Sequence, residues 1–315
     1  MNPTSSYSSP DRIDRHVGAL LGTALGDALG APFEGRRRGV PTRRILRLVG
    51  EDGPLRCTDD THMAIALAES LLACDGRVDS QHLGDAFAAA YHDQPWRGYA
   101  RGPGKVFAFA AEGHTYEQAA RTLDDGGSFG NGGAMRCAPV AIVSHGDLPR
   151  AAGLAAAQAR VTHAHPLGVD GAVLLTCAIV LAARAERHAE VADLHLASTI
   201  EHLVTADLRQ RLEAILVEGD DPDQLMGLAR QFGSGVSAVE SVPAALAVFL
   251  ANRHDPIDAM VAAISLGRDT DTVTAMAGAL AGAHHGAQQL PGHLLDRLED
   301  RDRIDTLARQ LAALP

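Results

Sequence analysis

Two short acidic clusters, about two hundred residues apart, each lead into an apolar run. Residues 58–72 read TDDTHMAIALAESLL, and residues 269–283 read DTDTVTAMAGALAGA. Thr and Asp are favoured at helix N-termini, and the residues after them are apolar at helical spacing or rich in Ala and Gly. Both stretches therefore predict a helix that begins at its acidic cluster.

Each acidic cluster alone is explained by helix capping, because its side chains accept hydrogen bonds from free backbone N–H groups and complement the helix dipole. Capping, however, requires one acceptor per helix, not two acids and a flanking hydroxyl at both helices. Acids packed this closely repel one another unless a cation is present. Oxygen ligands suit Mg²⁺ or Mn²⁺, and a metal-bound water is a ready nucleophile. The clusters therefore predict a site for two divalent cations.

The composition favours a single helical domain. The chain has 315 residues, of which 46% are hydrophobic, 21% charged and only 4% aromatic. With so few aromatic residues the core must consist of Ala, Leu, Val and Ile, which favours closely packed helices over a β-sandwich. No alternating strand pattern, internal repeat or linker divides the chain. We therefore expect one all-α domain over residues 11–315, after a disordered tail at residues 1–10.

Charge and cysteine content argue against several other classes of protein. The net charge of −11 disfavours a broad nucleic-acid surface, and the basic run at residues 36–44 is interpreted as a solvated loop because no aromatic residues interleave with it. The four cysteines have no CxxC spacing, which predicts no disulfide framework and a reduced, cytoplasmic location. Residues 1–10 lack the apolar segment of a signal peptide. The longest apolar stretch, 171–183, is too short to span a bilayer and predicts a buried helix.

Helical periodicity extends over most of the chain. Helices are predicted at residues 12–29, 59–73, 81–91, 116–123, 135–143, 149–161, 166–187, 192–205, 208–217, 223–232, 242–252, 256–265, 270–286 and 301–314. Glycine and proline predict irregular segments at residues 93–104 and 124–133. Because the acidic clusters lie near opposite ends of the sequence, a shared site requires the bundle to bring those ends together.

The glycine-rich segment 126–133 precedes a helix predicted to begin near Ala134. Glycines allow the backbone to approach a ligand closely, and N–H groups at a helix start can hold phosphate. Ser128 and Asn131 are candidates to bind ribose or phosphate oxygens, and Phe129 is a candidate to stack on a base. The alternative is an ordinary flexible loop, because the segment matches neither a Walker A sequence nor a Rossmann fingerprint.

Three further residues are candidates because of their position. His163, between two predicted helices, can hydrogen-bond a ligand, whereas its i, i+2 spacing to His165 is weak evidence for zinc. Asp27 lies in a mostly apolar helix and needs a partner if it is buried. Glu34 follows on a loop and is either a mobile acid near the metals or an exposed loop acid.

Taken together, five segments resemble the ADP-ribosylglycohydrolase family, which includes dinitrogen-reductase-activating glycohydrolase and the ADP-ribosyl-acceptor hydrolases. They occur in the family's order, from about Arg15 to Gly286, and so form a specific match. The segments are residues 22–30 with Pro32 and Glu34, residues 58–61 with Met63 and 68–71, residues 130–136 with Pro139, Thr162 with His163, and residues 267–272.

The resemblance implies an all-α orthogonal helical bundle with a binuclear Mg²⁺ or Mn²⁺ centre. The implied metal ligands come from both acidic clusters: Thr58, Asp59, Asp60, Asp269, Asp271 and Thr272. The family reaction is hydrolysis of an N- or O-glycosidic bond at C1″ of ADP-ribose, with Glu34, Asp60 and Asp269 as the implied catalytic acids. The implied substrate-binding residues are Gly102, Gly104, Ser128, Phe129, Gly130, Asn131, Gly132 and His163.

The acceptor of the ADP-ribose is a separate question. Residues 162–166 resemble the dinitrogen-reductase branch, so arginine-linked ADP-ribose is the first expectation. Alternatives are a serine-linked or small-molecule conjugate, another nucleoside-like glycoside, a non-catalytic crystallin-like ADP-ribose-binding protein, and an O-ligand metal phosphohydrolase. The expected partner is an ADP-ribosylated protein or small molecule, with no nucleic acid and no membrane, and a homo-oligomer is left open. Cys57, Arg268 and the segment 97–105 depart from the family pattern and bear on the substrate.

Overall fold

The computed structural model describes residues 10–36, 39–124, 126–186 and 189–315. The structure is 71% helical, and no strand occurs in the residues that it describes. Residues 1–9 of the predicted tail lie outside the described residues, and Pro10 begins the first helix. The first nine helices are α1 (Pro10–Gly30), α2 (Thr42–Val49), α3 (Asp59–Ala73), α4 (Ser80–Asp93), α5 (Arg101–Ala111), α6 (Tyr116–Arg121), α7 (Gly132–Met135), α8 (Ala138–Val143) and α9 (Leu148–Arg160). The others are α10 (Pro166–Arg184), α11 (Ala206–Glu218), α12 (Pro222–Phe232), α13 (Ala238–Ala251), α14 (Pro256–Ser265), α15 (Thr270–His285), α16 (Gly292–Leu295) and α17 (Arg301–Ala312).

Helices α1 and α15 pack antiparallel at very short range. Gly22 in α1 faces Gly278 in α15, and a Cβ atom added to Gly22 would lie 2.1 Å from the Gly278 carbonyl oxygen. Gly18 faces Gly282 in the same way on the adjacent turns. Only glycine allows two helix backbones to approach this closely. The Ala/Gly-rich run that follows the second acidic cluster therefore packs inside the bundle.

This antiparallel pairing places the end of α1 beside the start of α15. The Thr270 hydroxyl donates a hydrogen bond of 2.9 Å to the carbonyl oxygen of Gly30, the last residue of α1. The turn after α1, which carries Glu34, therefore reaches the second acidic cluster. Gly30 and Thr270 are 240 positions apart in sequence, so this hydrogen bond joins the two ends of the chain that carry the acidic clusters.

The core consists mainly of aliphatic side chains, as the composition predicts. Helix α10, which contains the longest apolar stretch, is buried from Gly168 to Ala182. It is long and apolar enough to cross a membrane, but 83% of its most apolar window is buried inside the bundle. We therefore describe it as the central core helix. All four cysteines are free, in agreement with the sequence-based prediction.

Three local predictions from the sequence are wrong. Residues 101–104, expected in a loop, form the first turn of α5, where proline is tolerated because first-turn N–H groups have no helical partner. Part of the basic run expected to be a loop belongs to α2, where Ile45 is buried and Leu48 and Val49 pack against the core. Their i, i+3, i+4 spacing is helical, but it lies among arginines that favoured a loop interpretation. The helix expected at residues 192–205 consists of two 3₁₀ segments, Val191–Leu194 and Leu196–His202.

Candidate active site

The fold brings the two acidic clusters together at the adjacent starts of α3 and α15. The Thr272 hydroxyl in the second cluster donates a hydrogen bond of 3.4 Å to Asp60 Oδ2 in the first. Carboxylate oxygens of Glu34, Asp269 and Asp271 lie within 4.8 Å of one another. The clusters that the sequence predicted to share a site therefore do meet, and the loop acid joins them.

Asp27 in α1 organises the start of α3. Its Oδ2 accepts hydrogen bonds from the Thr58 N–H at 2.9 Å, the Thr61 N–H at 3.2 Å and the Thr61 hydroxyl at 2.5 Å. Its Oδ1 accepts from the Thr58 hydroxyl at 2.8 Å. Burial raises the pKa of Asp27 to about 6, although the hydrogen bonds from Thr61 and Thr58 oppose that rise. The partner that the sequence required for a buried Asp27 is therefore the first acidic cluster itself.

Burial raises the pKa of every carboxyl group in the combined cluster, and repulsion between carboxylates adds to this effect at all of them except Asp269. Burial, followed by the charges of neighbouring carboxylates, raises the pKa of Asp59 to about 8 and that of Asp271 to about 9. Burial is also the main cause of the raised pKa values of Asp60, Asp269 and Glu34. Asp60 Oδ1 is buried and has no hydrogen-bond partner in the described structure. Bound cations would satisfy this oxygen and offset the repulsion, so the donor set fits divalent metals.

An ion pair between Arg97 and Glu299, which are distant in sequence, holds residues 57–59 at the start of α3. Arg97 forms a bidentate ion pair with Glu299, with N···O distances of 2.7 and 2.8 Å. The Arg97 guanidinium also donates to the Cys57 carbonyl at 2.7 Å, and the Cys57 N–H donates to Glu299 at 3.0 Å. The Asp59 N–H donates to the Arg97 carbonyl at 2.8 Å. No sequence pattern marks this ion pair, because Glu299 lies 202 residues from Arg97 and belongs to no motif.

The turn that carries Glu34 is tied to the residue just before the second cluster. The Gly35 N–H donates to the Arg268 carbonyl, and the Arg268 N–H donates to the Arg36 carbonyl, both at 2.7 Å. Arg268 has a φ of +67°, in the left-handed region that favours glycine. Glycine would adopt this conformation without strain, whereas Arg268 is held in it by the two backbone hydrogen bonds.

The acidic cluster forms one end of a cavity of about 350 Å³. Of the predicted substrate-binding residues, the cavity wall includes Gly102, Ser128, Gly130, Asn131, Gly132 and His163. The other two lie elsewhere. Phe129 is 44% exposed and packs edge-on against His165, with ring centroids 5.9 Å apart. Gly104 in α5 packs against the Tyr91 hydroxyl, which would lie 2.8 Å from an added Cβ atom.

Asn131 connects the glycine-rich segment to the second acidic cluster. Its side-chain amide donates to Asp269 Oδ2 at 2.7 Å and lies 3.1 Å from the Ser241 hydroxyl. This contact lowers the pKa of Asp269 and partly opposes the effect of burial. The sequence predicted a ligand contact for Asn131, and the structure adds a role in positioning an acid.

A buried arginine positions Thr162 and His163, which both line the cavity. Arg136 is fully buried and donates to the Gln158 side chain and to the Thr162 hydroxyl, both at 2.8 Å. Thr162 Oγ1 in turn lies 2.8 Å from His163 Nδ1. Burial and the Arg136 charge lower the pKa of His163 to about 3, so its ring is neutral at physiological pH. A Cβ atom on Gly132 would lie 2.5 Å from this ring, so only glycine fits there.

Comparisons with known proteins agree with this fold and site. The family model described as ADP-ribosylglycohydrolase matches residues 8–315. The chain is 34% identical to ADP-ribosylhydrolase ARH3 of Bos taurus, over 95% of this chain and 92% of that protein. It is 28% identical to the ADP-ribosyl-[dinitrogen reductase] glycohydrolase of Rhodospirillum rubrum, over 98% of this chain and 97% of that protein.

A solved structure described as an ADP-ribosylglycohydrolase-related protein complex superposes with a TM-score of 0.77. It is 30% identical in sequence and covers 97% of this chain and 99% of its own. The chain therefore belongs to the ADP-ribosylglycohydrolase family. It is an enzyme of the class that hydrolyses glycosidic bonds of ADP-ribose conjugates. The expected family and fold are thus confirmed.

Proposed function

We propose that this protein is a divalent-metal-dependent hydrolase that cleaves the bond at C1″ of ADP-ribose and releases ADP-ribose from a modified acceptor. The observation that carries the proposal is the meeting of both acidic clusters with Glu34 at one end of a single cavity. The raised pKa values and the unpartnered Asp60 Oδ1 support a positively charged occupant.

The proposed metal ligands are those that the sequence predicted: Thr58, Asp59, Asp60, Asp269, Asp271 and Thr272. Divalent cations bound there would act as Lewis acids, which would lower the pKa of water and bind hydroxyl oxygens of the ribose. The surrounding contacts keep this set in place before any ligand arrives. Asp27 holds Thr58, and Asn131 holds Asp269. This preorganisation removes much of the rearrangement that cleavage would otherwise require.

Glu34 is the acid best placed to move a proton. Unlike the neighbouring carboxyl groups it is exposed, and it lines the cavity from the turn after α1. Burial of part of its carboxyl group, and then the charge of Asp269, raise its pKa above the ordinary value, the direction that favours proton donation. Cleavage at C1″ passes through a transition state with oxocarbenium character, and ionised carboxylates nearby would stabilise its positive charge.

The glycine-rich segment and His163 suit the polar body of ADP-ribose. Gly130 and Gly132 line the cavity beside the His163 ring, and the Ser128 hydroxyl accepts a hydrogen bond from the Gly130 N–H at 3.2 Å. The neutral ring of His163 can hydrogen-bond an oxygen without adding charge. We also predict that the adenine base stacks on the Phe129 ring, which is exposed to solvent and lies outside the cavity wall.

Arginine-linked ADP-ribose remains the predicted acceptor linkage, with serine-linked ADP-ribose as the alternative. The relatives include proteins of both the ADP-ribosylhydrolase ARH3 and the dinitrogen reductase glycohydrolase groups, so similarity alone does not select the linkage.

The decisive experiment is product analysis with chemically defined arginine- and serine-linked peptides. The protein is treated with EDTA and assayed before and after Mg²⁺ or Mn²⁺ is restored. Release of intact ADP-ribose only with metal is the expected result, and the faster peptide identifies the linkage. Binding of either peptide without release would favour a non-catalytic ADP-ribose-binding protein. Products cleaved within the diphosphate would instead identify a phosphohydrolase.

A further inference from the structure

An exposed group of arginines lies on α2 and on the turn before it. Arg36, Arg43, Arg44 and Arg47, hereafter the arginine patch, are all exposed to solvent. Leu46, on the same short helix, is 53% exposed. The whole chain carries a net charge of −11, so this positive surface contrasts with the average charge of the protein. Such a local excess attracts negatively charged partners.

Two of the four guanidinium groups are held over one aromatic ring. Those of Arg36 and Arg44 lie 6.0 and 5.9 Å from the centroid of Phe33, which is itself buried. These cation–π contacts limit side-chain motion without neutralising the charge. Arg47 lies 3.3 Å from Glu51, but both side chains are more than half exposed, so solvent weakens this pair. The positive charge of the patch is therefore ordered and accessible.

The arginine patch lies close to the acidic cluster through Arg36, although none of its arginines lines the cavity. Phe33, the ring beneath two of its arginines, immediately precedes Glu34 in sequence. The backbone of Arg36 pairs with that of Arg268, the residue before Asp269. In the proposed reaction the acceptor is attached to C1″, which the proposed metal ligands face, whereas Ser128 and His163, which also line the cavity, are assigned to the rest of ADP-ribose. The patch is therefore beside the acceptor.

We propose that the arginine patch binds acidic residues that flank the ADP-ribosylated side chain in an acceptor protein. This inference rests on the proposed function, because that function defines which end of the cavity faces the acceptor. Carboxylates pair well with exposed guanidinium groups, and Leu46 offers an apolar contact among them. A nucleic acid fits less well, because Phe33 is the only aromatic residue between positions 31 and 50 and its buried ring cannot stack on a base.

The test uses two peptides that carry the same ADP-ribosyl linkage, one with Asp and Glu flanks and one with Gly and Ser flanks. For the wild type, kcat/KM should be about tenfold higher for the acidic peptide, and the difference should shrink at high salt. Arg43→Glu/Arg44→Glu should remove that preference and leave the rate with the neutral peptide within about twofold. Arg43→Lys/Arg44→Lys should retain most of the preference. The control Arg160→Glu/Arg230→Glu makes the same charge change at exposed positions of α9 and α12 and should have no effect.

Fluorescence anisotropy with labelled acidic peptide supplies a readout that does not require turnover. Salt-sensitive binding that is lost in Arg43→Glu/Arg44→Glu supports the patch even if no ADP-ribose is released, an outcome that would refute only the proposed function. Equal kcat/KM for both peptides in the wild type, or equal losses with both peptides in the charge-reversed variant, would overturn this inference. Preferential, patch-dependent binding of an oligonucleotide would overturn it as well.

Discussion

Replacing Gly22 with alanine should separate α1 from α15 and lower both stability and activity. The added Cβ atom would lie 2.1 Å from the Gly278 carbonyl oxygen, whereas ordinary contacts begin at 3.4 Å. The obstructing atoms belong to the backbone, so no side-chain rotation relieves the overlap. The helices must therefore move apart by about 1.3 Å, the difference between those two distances.

The size of the effect follows from two opposing contributions. Overpacking of this kind costs about 3 kcal/mol when the neighbours cannot rotate away. Alanine regains about 1 kcal/mol of helix propensity relative to glycine, so the net loss is about 2 kcal/mol. Unfolding entropy is about 2.1 cal/mol/K per residue, so for a chain of 315 residues each kcal/mol shifts Tm by about 1.5 °C. We expect Gly22→Ala to lower Tm by about 3 °C.

Gly153→Ala is the matched control, because Gly153 lies inside α9 and an added Cβ atom there meets no atom within 4 Å. It should raise Tm by about 1.5 °C through helix propensity alone. Calorimetric melting of both variants, with ADP-ribose release measured in parallel, tests the prediction. Gly22→Ala should also lower kcat, since α1 leads directly to Glu34. A Tm for Gly22→Ala at or above that of the wild type would refute the inferred close contact.

Three further predictions concern the active site. Asp271→Asn should lower kcat by orders of magnitude while circular dichroism shows unchanged helix content; undiminished turnover would contradict its proposed role. Without metal, the free energy of unfolding should fall between pH 7 and 8.5, by up to about 1.4 kcal/mol per pH unit for each carboxyl group with a raised pKa. The reason is that Asp59 and Asp271 are ionised in the unfolded chain, whereas in the folded chain they stay protonated until the pH approaches about 8 and 9. Mg²⁺ should flatten this slope in urea titrations, and an equal slope with and without metal would refute the charge argument. Glu299→Ala should reduce kcat/KM about tenfold, although Glu299 does not line the cavity. Without Glu299, Arg97 is free to move, and its carbonyl group no longer fixes the N–H of Asp59 at the start of α3.

Much of the site was predictable because its residues occur in short local patterns. An acidic cluster followed by an apolar run marks a helix start in any fold, so the first residues of α3 and α15 follow from local chemistry alone. Asp27 was also recognisable, because a carboxyl group among apolar residues requires a partner. The errors occur where local signals are weak or contradictory, as at Gly102 and Gly104, which form a helical turn despite their glycine content.

The amino-acid sequence alone therefore determined the helix starts, the aliphatic core and the chemical type of the ligands, since these depend on neighbouring residues and on composition. The tertiary structure decided which distant residues meet: Gly22 with Gly278, Arg97 with Glu299, and Glu34 with Asp269. The physical reason is that such contacts depend on how closely whole helices approach and cross. The four-residue spacing of glycines in α1 permits a close approach, but no local pattern specifies which helix is the partner. The raised carboxyl pKa values exist only once packing has excluded water from the clustered acids.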